Sequence, residues 1–170
     1  EMKKYNFGPY SKEHLDARWE EAMSSNRPWR LSIKIEKIQH WMERIKQHHS
    51  ILRHLNITPD TKVMSAGCAI GHLAPYFNFD NYLGIDIYKP AIEYAKTMYP
   101  SHQFLSEDMT QISYPDNTFE WIICAGFRPR GEMFEHLNAW GHNIVSFSYT
   151  PANEYMAWNK QTKKILRGLA

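Results

Sequence analysis

The sequence is poor in cysteine and in surplus charge, and it holds no long apolar run. Two cysteines, Cys68 and Cys124, in 170 residues exclude a disulfide framework, so a reducing, cytoplasmic setting is expected. Lysine and arginine number 20 against 18 aspartates and glutamates, a formal charge of +2. That balance lacks the basic excess by which nucleic acid or an anionic membrane is bound, and neither partner is expected. Trp121–Phe127 is typical of the longest apolar stretches, far short of the roughly 18–20 residues of a membrane span. Glu1–Asn6 carry no apolar signal-peptide core, and Met2 is expected to be the native start with Glu1 added ahead of it. Repeats, low-complexity tracts and charge blocks are missing as well. Aromatics are what the chain has in excess: six Trp, ten Tyr and eight Phe. They suit flat ligands or a bulky core equally. Apolar residues at 43% suffice for that core and exclude disorder as the main state.

Two unequal parts follow from the periodicity. Residues 1–57 read as an N-terminal helical cap. Ser11 fits an N-cap, and Leu15, Trp19, Ala22 and Met23 recur at helical spacing before Ser24–Pro28 breaks the pattern. A longer helix carries Ile35, Ile38, Met42, Ile45, Leu52 and Leu55 on one face and is expected to end at Asn56 and Pro59. Tyr5, Phe7, Tyr10 and Trp29 lie off these stripes and suggest a lid over a ligand. From residue 58 to 170 the period changes. Strands are expected at Lys62–Ala66, Tyr82–Ile87, Gln103–Leu105, Phe119–Ala125 and Asn143–Tyr149, and helices at Pro90–Met98, Gly131–Trp140 and about Ala152–Leu166. Such alternation predicts an α/β fold of βαβ units, with about five mostly parallel strands and helices on both faces.

An open parallel sheet binds ligands at the carboxyl ends of its strands. The first strand closes in Ser65-Ala66-Gly67-Cys68-Ala69-Ile70-Gly71-His72, where glycines let a ligand approach the backbone. The second closes in Gly84-Ile85-Asp86-Ile87, and an acid roughly 20 positions after a glycine turn is placed to hold a ribose. The third closes in Glu107-Asp108-Met109, and Tyr114–Thr118 lead into a fourth ending at Cys124-Ala125-Gly126.

Taken in order, Val63–Gly71, Gly84–Asp86, Asp108 and Tyr114–Cys124 resemble the successive motifs of the class I S-adenosylmethionine-dependent methyltransferases, across about residues 58–150. The resemblance implies a Rossmann-like sheet with strand order 3-2-1-4-5 and S-adenosylmethionine as cofactor. It implies that Asp86 holds the ribose hydroxyls and Ile87 packs on the adenine. Asp108 would accept from the adenine amino group, with Met109 beside the ring. Ser65, Ala66, Gly67, Cys68, Ala69 and Gly71 would border the methionine portion, and Ala125 and Phe127 would edge the acceptor site. Two positions depart from the family pattern. Ser65 stands where an aspartate is usual, and Ala69 stands where the middle glycine is usual. The family's terminal strand pair is expected to be missing.

The activity so implied is methyl transfer to a small molecule, since no Asp/Asn-Pro-Pro-Tyr/Phe motif follows the fourth strand. His136 and His142 follow that strand and are the candidate general bases. Arg128 and Arg130 suit either an acidic substrate or solvent. The alternative is a non-catalytic relative that keeps the fold as a binding module. A nicotinamide-dependent enzyme is disfavoured, because Gly67, Ala69 and His72 do not make G-x-G-x-x-G. Cys68 and Cys124 are expected as apolar fillers. His48, His49 and His54 are expected as solvated helix residues, with no metal partner at ligand spacing.

Overall fold

The computed structural model describes residues 48–125, 129–147, 155–159 and 163–166, the last two stretches by their backbone. The expected cap helices before residue 48, the aromatic lid, Phe127 and Arg128 lie outside these residues.

The described chain opens in helix α1, residues 48–54. Asn56 ends it, at a φ of 59°. The Asn56 N–H donates to the Arg53 carbonyl at 3.0 Å and the Ile57 N–H to the Leu52 carbonyl at 2.8 Å. This pairing satisfies two of the helix's last carbonyls, and asparagine is among the few residues that tolerate the left-handed turn. Leu52 and Ile57, the residues so joined, are both buried. The end of the presumed cap is therefore part of the central core.

Strand β1 is Val63–Ala66, β2 Tyr82–Asp86, β3 Gln103–Ser106, β4 Phe119–Ala125 and β5 Gly141–Phe147. Helix α2, Lys89–Met98, links β2 to β3, and helix α3, Gly131–Trp140, links β4 to β5. Between β1 and β2 the chain makes only 3₁₀ turns, at Ala74–Tyr76 and Phe79–Asn81. These five strands are parallel, in the order β3-β2-β1-β4-β5 that the resemblance implied. All four β1 residues are buried, as a strand covered on both faces requires. Val63 faces a layer built with Ile51, Leu52 and Ile57 of the α1 segment and Ile92 and Ala95 of α2. Met64 and Ala66 face the opposite layer, with Met133, Leu137 and Trp140 of α3.

Two expectations are corrected. The segment expected as a helix at Ala152–Leu166 holds two strands, β6 at Tyr155–Asn159 and β7 at Lys163–Leu166. The terminal strand pair expected to be missing is thus present. β6 runs antiparallel to β5, and β7 antiparallel to β6. Runs this short do not separate the helical from the alternating period. Tertiary context decides: the far edge of β5 presents unpaired backbone groups, and Tyr155–Asn159 satisfies them. β5 also begins two residues earlier than expected, because Gly141 fits beside β4. A β-carbon there would lie 2.7 Å from Ile122 Cγ1 and 2.9 Å from the Asn143 carbonyl oxygen.

Candidate functional site

The turn after β1 has an unusual backbone. Gly67, Ala69 and Gly71 all have positive φ, of 66°, 49° and 77°. Glycine takes that conformation freely, whereas alanine is strained by about 1–2 kcal/mol. Ala69 is held by a partner. Its N–H donates to Asp86 Oδ2 at 2.8 Å, while the Tyr88 N–H donates to Asp86 Oδ1, also at 2.8 Å. The turn is fixed further by Cys68 N–H to the Ile85 carbonyl at 3.0 Å and Gly71 N–H to the Cys68 carbonyl at 2.9 Å.

Gly71 and Gly84 serve a neighbour the sequence did not disclose. A β-carbon on Gly71 would meet Phe104 Cε1 at 2.6 Å, and one on Gly84 would meet Phe104 Cδ1 at 2.7 Å and Cys68 Sγ at 2.9 Å. The Phe104 ring of β3 thus occupies the space that both glycines leave. Nothing in the spacing of a lone phenylalanine could have announced this.

The parallel register gathers the other candidates. Asp86 lies opposite Ser106, and the Glu107 N–H donates to the Asp86 carbonyl at 3.1 Å, so the residues after β3 come beside the end of β2. Asp108 Oδ1 accepts from the Thr110 N–H at 2.9 Å and the Thr110 hydroxyl at 2.7 Å. Thr110 is a supporting residue that the sequence reading missed. Its signal was the Asp-x-Thr spacing, in which an aspartate oxygen caps its own turn. Ile87 is 46% exposed and Met109 only 2%. Met109 packs with Met64 and Ile85 in the α3-facing layer, whereas Ile87 leaves apolar surface open. Ser65, Ala66 and Cys68 are buried at the end of β1, as is Ala125 at the end of β4.

The two candidate bases lie elsewhere. β4 and β5 start together, with Phe119 opposite Gly141. His142, exposed, is thus at the amino edge of the sheet, away from Asp86. His136 stands one turn before the end of α3, its ring 5.8 Å from that of Trp140. The structure does not bring either one together with the carboxyl-edge cluster. Of the α1 histidines, only His54 is exposed as expected. His48 is buried, 5.7 Å from the His72 ring. His49 lies 5.0 Å from the Tyr76 ring, where burial and then Arg53 hold its pKa below the ordinary histidine value. Cys68 and Cys124 sit in opposite layers of the core, too separated by the sheet to pair. Burial pushes the Cys124 thiol far above its ordinary range. Among the described residues no three His, Cys, Asp or Glu gather as a metal would require, and no helix is long and apolar enough to cross a membrane.

A family model described as a methyltransferase domain matches residues 64–141, from β1 to the start of β5. Over these residues the chain is similar to a methyltransferase domain. Solved structures share this domain's fold at low identity. Magnesium protoporphyrin IX methyltransferase (ChlM) from Synechocystis PCC 6803, with bound SAM, is 14% identical over 96% of this chain and 98% of its own, at a TM-score of 0.59. The PH0226 protein from Pyrococcus horikoshii OT3 is 14% identical over 78% of this chain and 77% of its own, at 0.53. The [4+2]-cyclase SpnF is 14% identical over 60% of this chain and 44% of its own, at 0.50. Among curated proteins none matches the sequence. The fold is therefore shared with these neighbours at few identical residues.

Proposed function

We propose that the chain is an S-adenosylmethionine-dependent methyltransferase acting on a small molecule. One observation carries the reading: the parallel register sets Asp86, Ile87 and Asp108 along one edge, beside a turn with three left-handed positions.

These residues fit the nucleoside half of the cofactor. Asp86 would accept from the ribose hydroxyls, since a carboxylate offers about four acceptor sites on its two oxygens. Ile87 offers an apolar face for the adenine. Asp108 has only Oδ1 engaged by Thr110, which leaves Oδ2 for the adenine amino group. Gly67 and Ala69 would line the amino-acid end, where Ser65 brings a hydroxyl in place of a carboxylate. When bound, S-adenosylmethionine supplies a methyl already activated on a sulfonium. The protein then has to align the acceptor, exclude water and take up a proton where the nucleophile carries one. No nucleophilic triad is required. The acceptor would enter beside Ala125, from solution rather than from a membrane or nucleic acid.

A non-catalytic or differently catalytic protein is the second reading. Ser65 favours it, and SpnF, a [4+2]-cyclase by its description, has this fold at a TM-score of 0.50. Calorimetry with S-adenosylmethionine and S-adenosylhomocysteine tests the first step. Micromolar binding is expected, on the order of −7 to −8 kcal/mol. Asp86→Ala should weaken it by about 1–3 kcal/mol, the loss of a charged acceptor. Unaltered binding in that variant would remove Asp86 from the ribose, and no binding by the parent would favour the second reading.

A further inference from the structure

We propose that Asp86 is also the positioning residue of the β1 turn: its carboxylate keeps Ala69 in the left-handed conformation and so couples the two ends of the donor site. This rests on the donor reading above. Two of the three left-handed positions are glycine and need no help. Ala69 does, because it carries a β-carbon at a φ of 49° and is 4% exposed. A buried N–H in such a turn also needs an acceptor, and Asp86 Oδ2 provides one at 2.8 Å. A bond to an ionised acceptor is among the strong ones. The carboxylate is itself steadied, since Tyr88 donates to its other oxygen at 2.8 Å. One side chain thereby ties the β1 turn, the end of β2 and the entry to α2.

The consequence is specific to this chain. With glycine at 69 the left-handed backbone would carry no strain of its own. With alanine, loss of the carboxylate lets residue 69 leave the left-handed region and carries Gly67–Gly71 with it. Removing Asp86 therefore damages the amino-acid end of the site, although the only part of the ligand its side chain would touch is the ribose.

Adenosine, which has the nucleoside and lacks the amino-acid arm, separates the two roles. Calorimetry would compare adenosine and S-adenosylhomocysteine on the parent, Asp86→Ala, Ala69→Gly and the double variant. Asp86→Ala is expected to weaken adenosine about tenfold and S-adenosylhomocysteine about a hundredfold, one further decade of affinity. The double variant should bind adenosine as Asp86→Ala does and recover the further decade on S-adenosylhomocysteine. Equal losses on both ligands, or no recovery in the double variant, would overturn the coupling. Amide hydrogen exchange of the ligand-free protein reads the clamp directly. Exchange at Ala69 and Gly71 should quicken at least about tenfold in Asp86→Ala, with Gly71 returning to the parent rate in the double variant. An unchanged Ala69 rate overturns the clamp even if neither ligand binds, an outcome that would separately sink the donor reading. Should Asp86→Ala not fold, the near-isosteric Asp86→Asn takes its place with the same pattern at smaller size.

Discussion

Ala69 puts a methyl group into backbone space that its neighbours in the turn leave to glycine. The strain this causes is opposed by one charge-assisted hydrogen bond from Asp86, and the two effects are of similar size. Ala69→Gly should therefore stabilise the ligand-free protein. Relief of about 1–2 kcal/mol from the left-handed region outweighs the roughly 0.5–1 kcal/mol that glycine's freedom adds to unfolding. Urea denaturation would show a higher midpoint at constant slope. A lower midpoint would mean that the methyl's contacts outweigh its backbone strain. The sequence showed that residue 69 departs from the family's glycine. It did not show which group answers for the departure, because a hydrogen bond across 17 positions leaves no mark in local pattern.

At the scale of elements, Phe104 joins β3 to the β1 turn and to β2. Its ring lies where Gly71 and Gly84 have no side chain. Gly84→Ala is expected to cost about 1–3 kcal/mol through overpacking, and Phe104→Leu in the same chain should restore part of that loss. Thermal melts of the two single variants and the double variant measure it. Additive losses would show that the clash is with Cys68 Sγ, 2.9 Å from the added carbon, rather than with the ring. The elements themselves were readable where a run had clear limits. Phe119–Ala125 is an unbroken strand between a turn and a glycine, and Gly131–Trp140 has its apolar residues on one face. Tyr155–Leu166 was unreadable for the opposite reason. The first of its two short runs becomes a strand by pairing with β5 and the second by pairing with the first, and no spacing within them reveals those edges.

For the whole molecule, the placement of acidic protons sets the pH range of the fold. Cys124 and Tyr82 are buried in opposite layers. Burial raises the thiol far above its ordinary 9.0. It raises the phenol well above its ordinary 10.0, with Cys68 adding to the shift and the Ser65 hydroxyl opposing it. The unfolded chain gives up both protons at the ordinary values while the folded one keeps them. Stability is thus complete below about pH 9 and falls as pH rises through 9 and 10, by about 1.4 kcal/mol per pH unit for each proton. Urea midpoints between pH 8 and 11 should trace this decline, and Cys124→Ala should make it shallower. An equal slope in that variant would mean that the thiol is not a source. The parallel sheet and its carboxyl edge were legible in the alternation of strands and helices, whereas the strand order came only from the family resemblance. The burial of His48 was not, since its cover includes His72 from beyond β1.

The shared space around Phe104 also constrains the order in which this sequence can change. A side chain larger than hydrogen at 84 is open only to a chain that has already given up the full ring at 104. A smaller residue at 104 leaves a cavity until position 84 or 71 grows to fill it, and the positive φ at 71 excludes most residues there. Either first step lowers stability, so the trio changes only in chains with stability to spare. A library that varies these positions one at a time would miss the combinations that work.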